Sequence, residues 1–491
     1  MKFKKLFTFL FFISLTSVLF SQTQVTGFGS NPGNLNMYDY VPTGISGAVP
    51  LVIAMHGCTQ NALEYAQQTG WDKLADRHKF YVVYPEQVSA NNSNLCFDWY
   101  DTTNINKNVG EALSIKQMRD YMVAHFTIDT TKIYVTGLSA GAAMTVVMLA
   151  TYPELFHKGA EMSGLPYKSA TSVYASSNAM YGYVMKTPAQ WGALVKAQNP
   201  TYTGPFPKLA IFHGTNDFVV NINNATELIK QWTYLNHADQ IADSTNNSFQ
   251  GNANVQQTIY NDSLNNPIVY FYKVTGMPHG IAVDTGSCPR QGGKTASYSI
   301  EENKFHSTYW AADFFGILTF PYSIMGPILV NQYAANVNYS VPFTSGSTYN
   351  WTVPTHANIV SGQGTNSISV NFDTISGNVS VTETTSSNCI NDPSELYVNV
   401  NSTNGIAILS RTNPKLLYCN ADNSLIVSNF NPNEIKNFFI YNSVGEKMPV
   451  SYRVNRNKIF LNDKLPAGLY FANLIENNKQ LNCKMLVFPE R

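Results

Sequence analysis

Ser139 sits at the centre of Gly137-Leu-Ser-Ala-Gly141, after a β-branched and aromatic run, Lys132-Ile-Tyr-Val-Thr136, and before a helix-forming one. A strand, sharp turn and helix of this kind lift a serine hydroxyl out of the top of a parallel sheet, because the glycines leave room for the bend. A serine hydroxyl is a poor nucleophile unaided. It needs a base to take its proton, an acid to orient that base, and amides to hold an oxyanion. In hydrolases built on this turn the chain order is nucleophile, acid, base. Two downstream loops follow strand-like runs in that order: Gly214-Thr-Asn-Asp217, and Thr275-Gly-Met-Pro-His279-Gly280. Asp217 is therefore expected as the acid and His279 as the base. His213 and His56 also stand at the ends of such runs, but His213, the rival base, precedes the acid loop. Asp262, in a turn-like segment, and Asp284, five residues past His279, are rival acids. The oxyanion site should combine the amide of Ala140, just after the nucleophile, with one from the early loop Met55-His56-Gly57-Cys58. Cys58 is the expected second donor, with Gly57 as the neighbour that would replace it.

These residues need a sheet to converge on. Residues 35–316 alternate short apolar runs, at 51–55, 80–84, 133–136, 209–212 and 269–274, with helical spacing at 62–78, 111–125, 142–151 and 226–235. That alternation predicts an α/β fold with a mostly parallel, doubly wound sheet and helices on both faces. Loops at the carboxyl ends of its strands meet at one edge, where Ser139, Asp217 and His279 all fall. Past 316 the pattern shortens to strands separated by Gly, Ser, Thr and Asn. Residues 322–401 are expected to form an antiparallel β-sandwich, 402–415 a linker, and 416–491 a second small all-β domain.

Lys plus Arg equals Asp plus Glu at 31 each, and charged residues are only 13% of the 491. This balance gives no electrostatic reason to expect nucleic acid as a partner. Met1-Lys-Phe-Lys-Lys5 followed by an apolar run reads as a signal peptide over 1–21, leaving residues 22–316 as the hydrolase domain and no membrane span in the mature chain. The six cysteines are an even number suited to an oxidising compartment, and they lack metal-ligand spacing. No metal and no cofactor are expected.

His56-Gly-Cys-Thr-Gln60, Tyr84-Pro-Glu-Gln87, Cys96-Phe-Asp-Trp99, Gly137-Leu-Ser-Ala-Gly141, Ser163-Gly-Leu-Pro-Tyr167 and Trp191-Gly resemble the secreted esterase family of poly(3-hydroxybutyrate) depolymerases and acetylxylan and feruloyl esterases. The resemblance covers residues 24–316. It implies an α/β-hydrolase with Ser139, Asp217 and His279 as its triad, and a Cys58–Cys96 disulfide bracing the oxyanion loop. Gly57, Trp99, Tyr167 and Trp191 fall within these motifs and are carried as substrate contacts, with a core role as the alternative for the aromatics. Tyr349-Asn-Trp351 and Gly362-Gln-Gly364 resemble polycystic-kidney-disease-like modules, with Trp351 as a core residue. Leu465-Pro-Ala-Gly-Leu-Tyr470 resembles type IX secretion sorting domains, which implies that machinery as a partner and a secreted or surface location; a Cys419–Cys483 bridge is expected there.

The expected activity is hydrolysis of polymer-linked esters by a monomer. Acetyl or feruloyl esters of cell-wall polysaccharide come first, because no Trp-rich module for adsorbing to a polyester is visible; polyester depolymerisation is the alternative. An inactive hydrolase fold serving as an adhesin is the remote reading, disfavoured because a scaffold alone has no need of all three triad residue types in order.

Overall fold

Short apolar and β-branched runs between residues 23 and 274 form a ten-stranded sheet. The structure, a computed structural model, describes residues 22–319 and 322–401 and, between 416 and 487, seven strands with a few flanking positions. The expected signal peptide and the linker at 402–415 lie outside the described residues, as do the side chains of Cys419 and Cys483. The chain divides into two compact units, Met1–Thr319 and Phe320–Arg491.

In the first unit the strands are β1 (Thr23–Val25), β2 (Asn36–Tyr40), β3 (Val49–Met55), β4 (Tyr81–Glu86), β5 (Ile128–Leu138), β6 (Lys158–Met162), β7 (Lys208–Gly214), β8 (Ser244–Asn246), β9 (Val255–Asn261) and β10 (Pro267–Val274). Their order across the sheet is β1-β2-β4-β3-β5-β6-β7-β10-β9-β8, and β11 (Ile281–Val283) and β12 (Ser299–Glu301) make a separate parallel pair. The run from β4 to β10 is parallel, and the strands on either flank are antiparallel. From β3 the chain moves to β4 on one side and then to β5 on the other. The order thus reverses between β3 and β5, and ligands of open α/β sheets bind at such a reversal. Met55 pairs with Gly137 across it, so the His56 loop and the serine turn leave the sheet side by side.

Alternation within each strand feeds two cores. Leu51, Ile53 and Met55 of β3 enter one apolar cluster, and Val52 and Ala54 enter the other. The helices that cover these faces are α1 (Ala62–Thr69), α2 (Trp71–His78), α3 (Thr102–Ile105), α4 (Gly110–His125), α5 (Ala140–Thr151), α6 (Val173–Met180), α7 (Pro188–Lys196), α8 (Asn223–Leu235) and α9 (Ser307–Phe315). The single helix expected over 62–78 is two. Gly70 takes a left-handed φ of 74° between them, and a Cβ there would lie 2.7 Å from the Gly293 nitrogen. No helix among the described residues is long and apolar enough to cross a membrane.

In the second unit β13 (Leu329–Asn331), β15 (Thr348–Thr352), β18 (Gly377–Thr384) and β19 (Ser394–Asn401) make one sheet; β14 (Val337–Ser340), β16 (Asn358–Ser361) and β17 (Ser367–Asn371) make another. One pairing departs from the antiparallel expectation, since β13 runs parallel to β19. Trp351 is buried in this unit's core and donates its Nε1–H to the Thr365 carbonyl at 2.8 Å, the core role expected of it. Farther on, β20 (Leu416–Cys419), β21 (Ser424–Val427), β23 (Tyr452–Asn455) and β24 (Lys458–Leu461) form a four-stranded sheet, and β22 (Ile435–Asn442), β25 (Gly468–Glu476) and β26 (Lys479–Val487) a three-stranded one.

Candidate active site

Ser139 occupies the turn between β5 and α5 with φ 56° and ψ −117°, a conformation that non-glycine residues rarely adopt. The flanking glycines make the turn possible by close approach. A Cβ on Gly137 would stand 2.3 Å from the Gly141 carbonyl oxygen, and one on Gly141 would stand 2.4 Å from the Met55 oxygen. The start of α5 is thereby pressed onto the end of β3. The Ser139 amide donates to the Met162 carbonyl at 2.9 Å, which ties the turn to β6.

Asp217 and His279 come from loops after β7 and β10, neighbouring strands of the sheet. His279 Nδ1 stands 2.8 Å from Asp217 Oδ2, and the carboxylate's other oxygen accepts the amides of Val219 and Val220 at 3.0 and 2.8 Å. These bonds fix the carboxylate plane. Burial by itself would raise the Asp217 pKa, but the hydrogen bond and charge of His279, the neighbouring His213 and the Val220 amide outweigh it and hold the carboxyl below its ordinary value. His213, the rival base, is fully buried and bonds through Nε2 to the Val220 carbonyl at 2.8 Å, with Asp217 Oδ2 at 3.5 Å. Asp262 closes a turn onto the amides of Leu264 and Asn266, while Asp284 accepts from Gln291 and the Lys304 amide. Neither meets a histidine among the described contacts.

The early loop is braced from beneath. His56 Nδ1 bonds the Gly57 carbonyl at 2.7 Å, and its Nε2 accepts the Gln87 amide at 3.0 Å, so the ring is a neutral Nδ1–H tautomer; burial holds its pKa down at about 4. Gln87 in turn bonds the Cys96 carbonyl and the buried Glu111. Cys58 and Cys96 form a disulfide, as the resemblance implies. The Gly57 amide donates to Gln60 Oε1 at 2.8 Å, whereas the Cys58 amide has no acceptor among the described residues. Ala140 opens α5, whose first amides have no intrahelical acceptor.

A pocket of about 100 Å³ joins these parts, lined by Gly57, Cys58, Leu138, Ser139, Met180, Val219, His279 and Tyr298. The structure therefore brings Ser139, His279, Cys58 and Gly57 to one cavity, with Asp217 behind His279. It corrects three of the expected substrate contacts. Trp191 is fully buried and donates Nε1–H to the Glu227 carboxylate at 2.6 Å. Tyr167 is buried with its hydroxyl on the Ile105 carbonyl at 2.9 Å. Trp99 packs in the core, edge-on to Tyr100. None of the three is among the residues that line the pocket. Met180, Val219 and Tyr298 do line it, and no motif marked them.

Residues 35–256 match the family model described as Esterase PHB depolymerase, and residues 318–400 match a PKD-like domain. The chain is 45% identical over 303 residues to poly(3-hydroxyalkanoate) depolymerase C of Paucimonas lemoignei, an alignment covering 62% of this chain and 72% of that one. The chain belongs to the PHB depolymerase esterase family. It is also similar to feruloyl esterase B of Talaromyces funiculosus, at 33% identity over 54% of this chain and 74% of that one. A probable acetylxylan esterase A of Aspergillus fumigatus is 37% identical over 50% of this chain and 67% of that one. The protein is accordingly a carboxylic ester hydrolase with an α/β-hydrolase domain.

Two buried carboxyls give this esterase a pH-dependent stability. Burial, reinforced by the charges of Asp98 and Asp217 respectively, pushes Glu111 and Glu161 up to about 8 from the ordinary 4.5. Up to about pH 8 the folded chain keeps two protons that the unfolded chain releases above its ordinary glutamate range, so these groups lower stability as pH rises. The buried His56 and His306, both held at about 4, act in the opposite sense, but only below their ordinary value of 6.5. The melting temperature should therefore fall between pH 6.5 and 8, and Glu111→Gln should reduce that slope. Calorimetry across this window checks it; a melting temperature that rises with pH there would contradict the assignment.

Proposed function

We propose that the esterase works by acyl transfer through Ser139, with His279 as general base, Asp217 orienting it, and the Cys58 and Ala140 amides holding the oxyanion. The observation that carries this is the 2.8 Å His279–Asp217 contact beside a pocket that Ser139 shares with an unengaged Cys58 amide. His279 takes the Ser139 proton as the hydroxyl attacks the ester carbonyl, then gives it to the leaving alcohol; water repeats the cycle on the acyl-enzyme. The disulfide and the His56–Gln87 contacts support the loop that presents Cys58, so no reorganisation is needed as charge develops.

The polymer is a water-insoluble aliphatic polyester of short hydroxyacids. Two segments that meet at the pocket carry apolar side chains into solvent: Val173, Tyr174, Tyr181, Tyr183 and Met185 on and after α6, and Phe218 and Val219 beside Asp217. Tyr174 is 92% and Phe218 83% exposed. The segments are tied together by the Asn221 amide on the Met180 carbonyl at 2.7 Å and by Asn224 on the Ala179 carbonyl. Exposed apolar side chains gathered around a catalytic mouth suit adsorption to an apolar solid. The similarity to a poly(3-hydroxyalkanoate) depolymerase supports the same reading. Acetyl esters of polysaccharide form the second reading. The pocket supports it, since about three waters' worth of space suits a short acyl group better than a feruloyl one.

Tyr174→Ser with Phe218→Ser should leave p-nitrophenyl acetate turnover unchanged and slow clearing of a polyhydroxybutyrate suspension roughly thirtyfold, at about 1 kcal/mol of lost adsorption per aromatic. A wild-type enzyme that releases acetate from acetylated xylan and leaves the polyester uncleared would sink the polyester reading in favour of the second. We propose in addition that residues 1–21 direct export, that 322–401 form a PKD-like accessory domain, and that 416–491 serve type IX secretion to the cell surface or medium.

A further inference from the structure

Beneath the acid–base pair lie two buried polar atoms that the acyl-transfer scheme does not use. Glu161, the penultimate residue of β6, is fully buried. Its Oε2 accepts the Gly164 amide at 2.7 Å, and its Oε1 has no partner among the described residues. His213, at the end of β7, is equally buried, and its Nδ1 has no partner among the described residues. Glu161 pairs with Ile211 across the β6–β7 ladder, and the pleat returns His213 to the same sheet face. The two orphan atoms thus belong to neighbouring strands and one face of the sheet, with Asp217 near enough to Glu161 for its charge to act on the carboxyl.

Their protonation states are complementary. Because the Val220 carbonyl and Asp217 Oδ2, both acceptors, stand at 2.8 and 3.5 Å from His213 Nε2, that nitrogen carries the hydrogen. Its Nδ1 is then a lone pair needing a donor. A neutral Glu161 carboxyl offers one acceptor, met by Gly164, and one O–H donor. Each of these atoms loses its hydration on burial without regaining a hydrogen bond, and pairing them removes both penalties.

We infer that Glu161 is a positioning residue of this site: its neutral carboxyl donates from Oε1 through one bridging water to His213 Nδ1, and His213 Nε2–H steadies the Asp217 oxygen that faces His279. The groups facing this carboxyl are His213 and Asp217 from the β7 side, Gly164 from its own loop, and Ala142 of α5 beyond Gly164. Burial and the nearby Asp217 charge favour the neutral form. The inference rests on the role proposed for Asp217 and His279.

The test compares Glu161→Gln with Glu161→Leu in the full chain on p-nitrophenyl acetate, together with infrared difference spectra. Gln can still accept from Gly164 and donate to His213, so its kcat should stay within about twofold of wild type. Leu removes the donor and should lower kcat roughly tenfold with KM unchanged, the cost of one unpaired buried group. The wild-type minus Glu161→Gln spectrum at pH 6.5 should show loss of a protonated carboxylic-acid band. A folded Leu variant with wild-type kcat, a Gln variant as impaired as Leu, or loss of an ionised carboxylate band would each overturn the inference. Should the Leu variant not fold, the Gln variant and the spectrum decide. The spectrum does not depend on Ser139, so a Ser139→Ala enzyme that still turned over would remove the catalytic reading and leave this result to stand or fall alone.

Discussion

Replacing Ser139 by alanine should lower kcat on p-nitrophenyl acetate by about 10⁵–10⁶-fold, the loss expected when the nucleophile of such a triad is removed. The fold should survive. The backbone at Ser139 is held by its amide on Met162 and by the glycine contacts on either side, and its side chain makes no hydrogen bond among those described. Circular dichroism and the melting temperature should match wild type. A folded variant that keeps a substantial share of turnover would remove Ser139 from the mechanism.

Asp217→Asn should cost roughly 10⁴-fold in kcat with little change in KM. The reason lies in how the carboxylate is spent. Oδ1 accepts two backbone amides, so an asparagine keeping those bonds must turn its NH₂ toward His279 Nδ1 and His213 Nε2. Donor then meets donor, and His279 is driven to the tautomer that cannot accept the Ser139 proton. Flipping the amide restores the histidine contact only by breaking both backbone bonds. Asp262→Asn and Asp284→Asn should stay near wild type, because Asp262 closes a local turn and Asp284 ties the Gln291 side chain and the Lys304 amide, with no histidine in contact with either. Steady-state kinetics on the three variants separates them; equal losses in all three would mean general destabilisation rather than loss of an acid.

Much of the site was legible because its residues are governed by local rules. The Gly137–Gly141 spacing states its own turn, and the order of Asp217 and His279 after apolar runs follows from loops gathering at strand ends. What escaped is set by partners distant in sequence. Lys158-Gly-Ala-Glu-Met162 has a lysine, a glycine and a glutamate among five residues and does not read as a strand, yet β6 lies between β5 and β7 and carries Glu161. Trp191 and Tyr167 stand in family motifs, but Glu227 and Ile105 supply their polar atoms with partners in the interior, and both side chains are buried. The exposed Tyr174, Tyr183 and Phe218 have core-like chemistry and no pattern announcing that solvent surrounds them. Periodicity reports which face is apolar; it does not report whether anything covers that face.

The central claim, that Ser139 is the acyl-accepting nucleophile activated by His279 and Asp217, is tested most directly by labelling the intact enzyme with an alkyl fluorophosphonate and mapping the adduct by mass spectrometry. The account predicts one adduct per chain, on the peptide containing Ser139, lost in Ser139→Ala and strongly slowed in Asp217→Asn. An adduct on another residue, or labelling of Ser139→Ala at the wild-type rate, would contradict it.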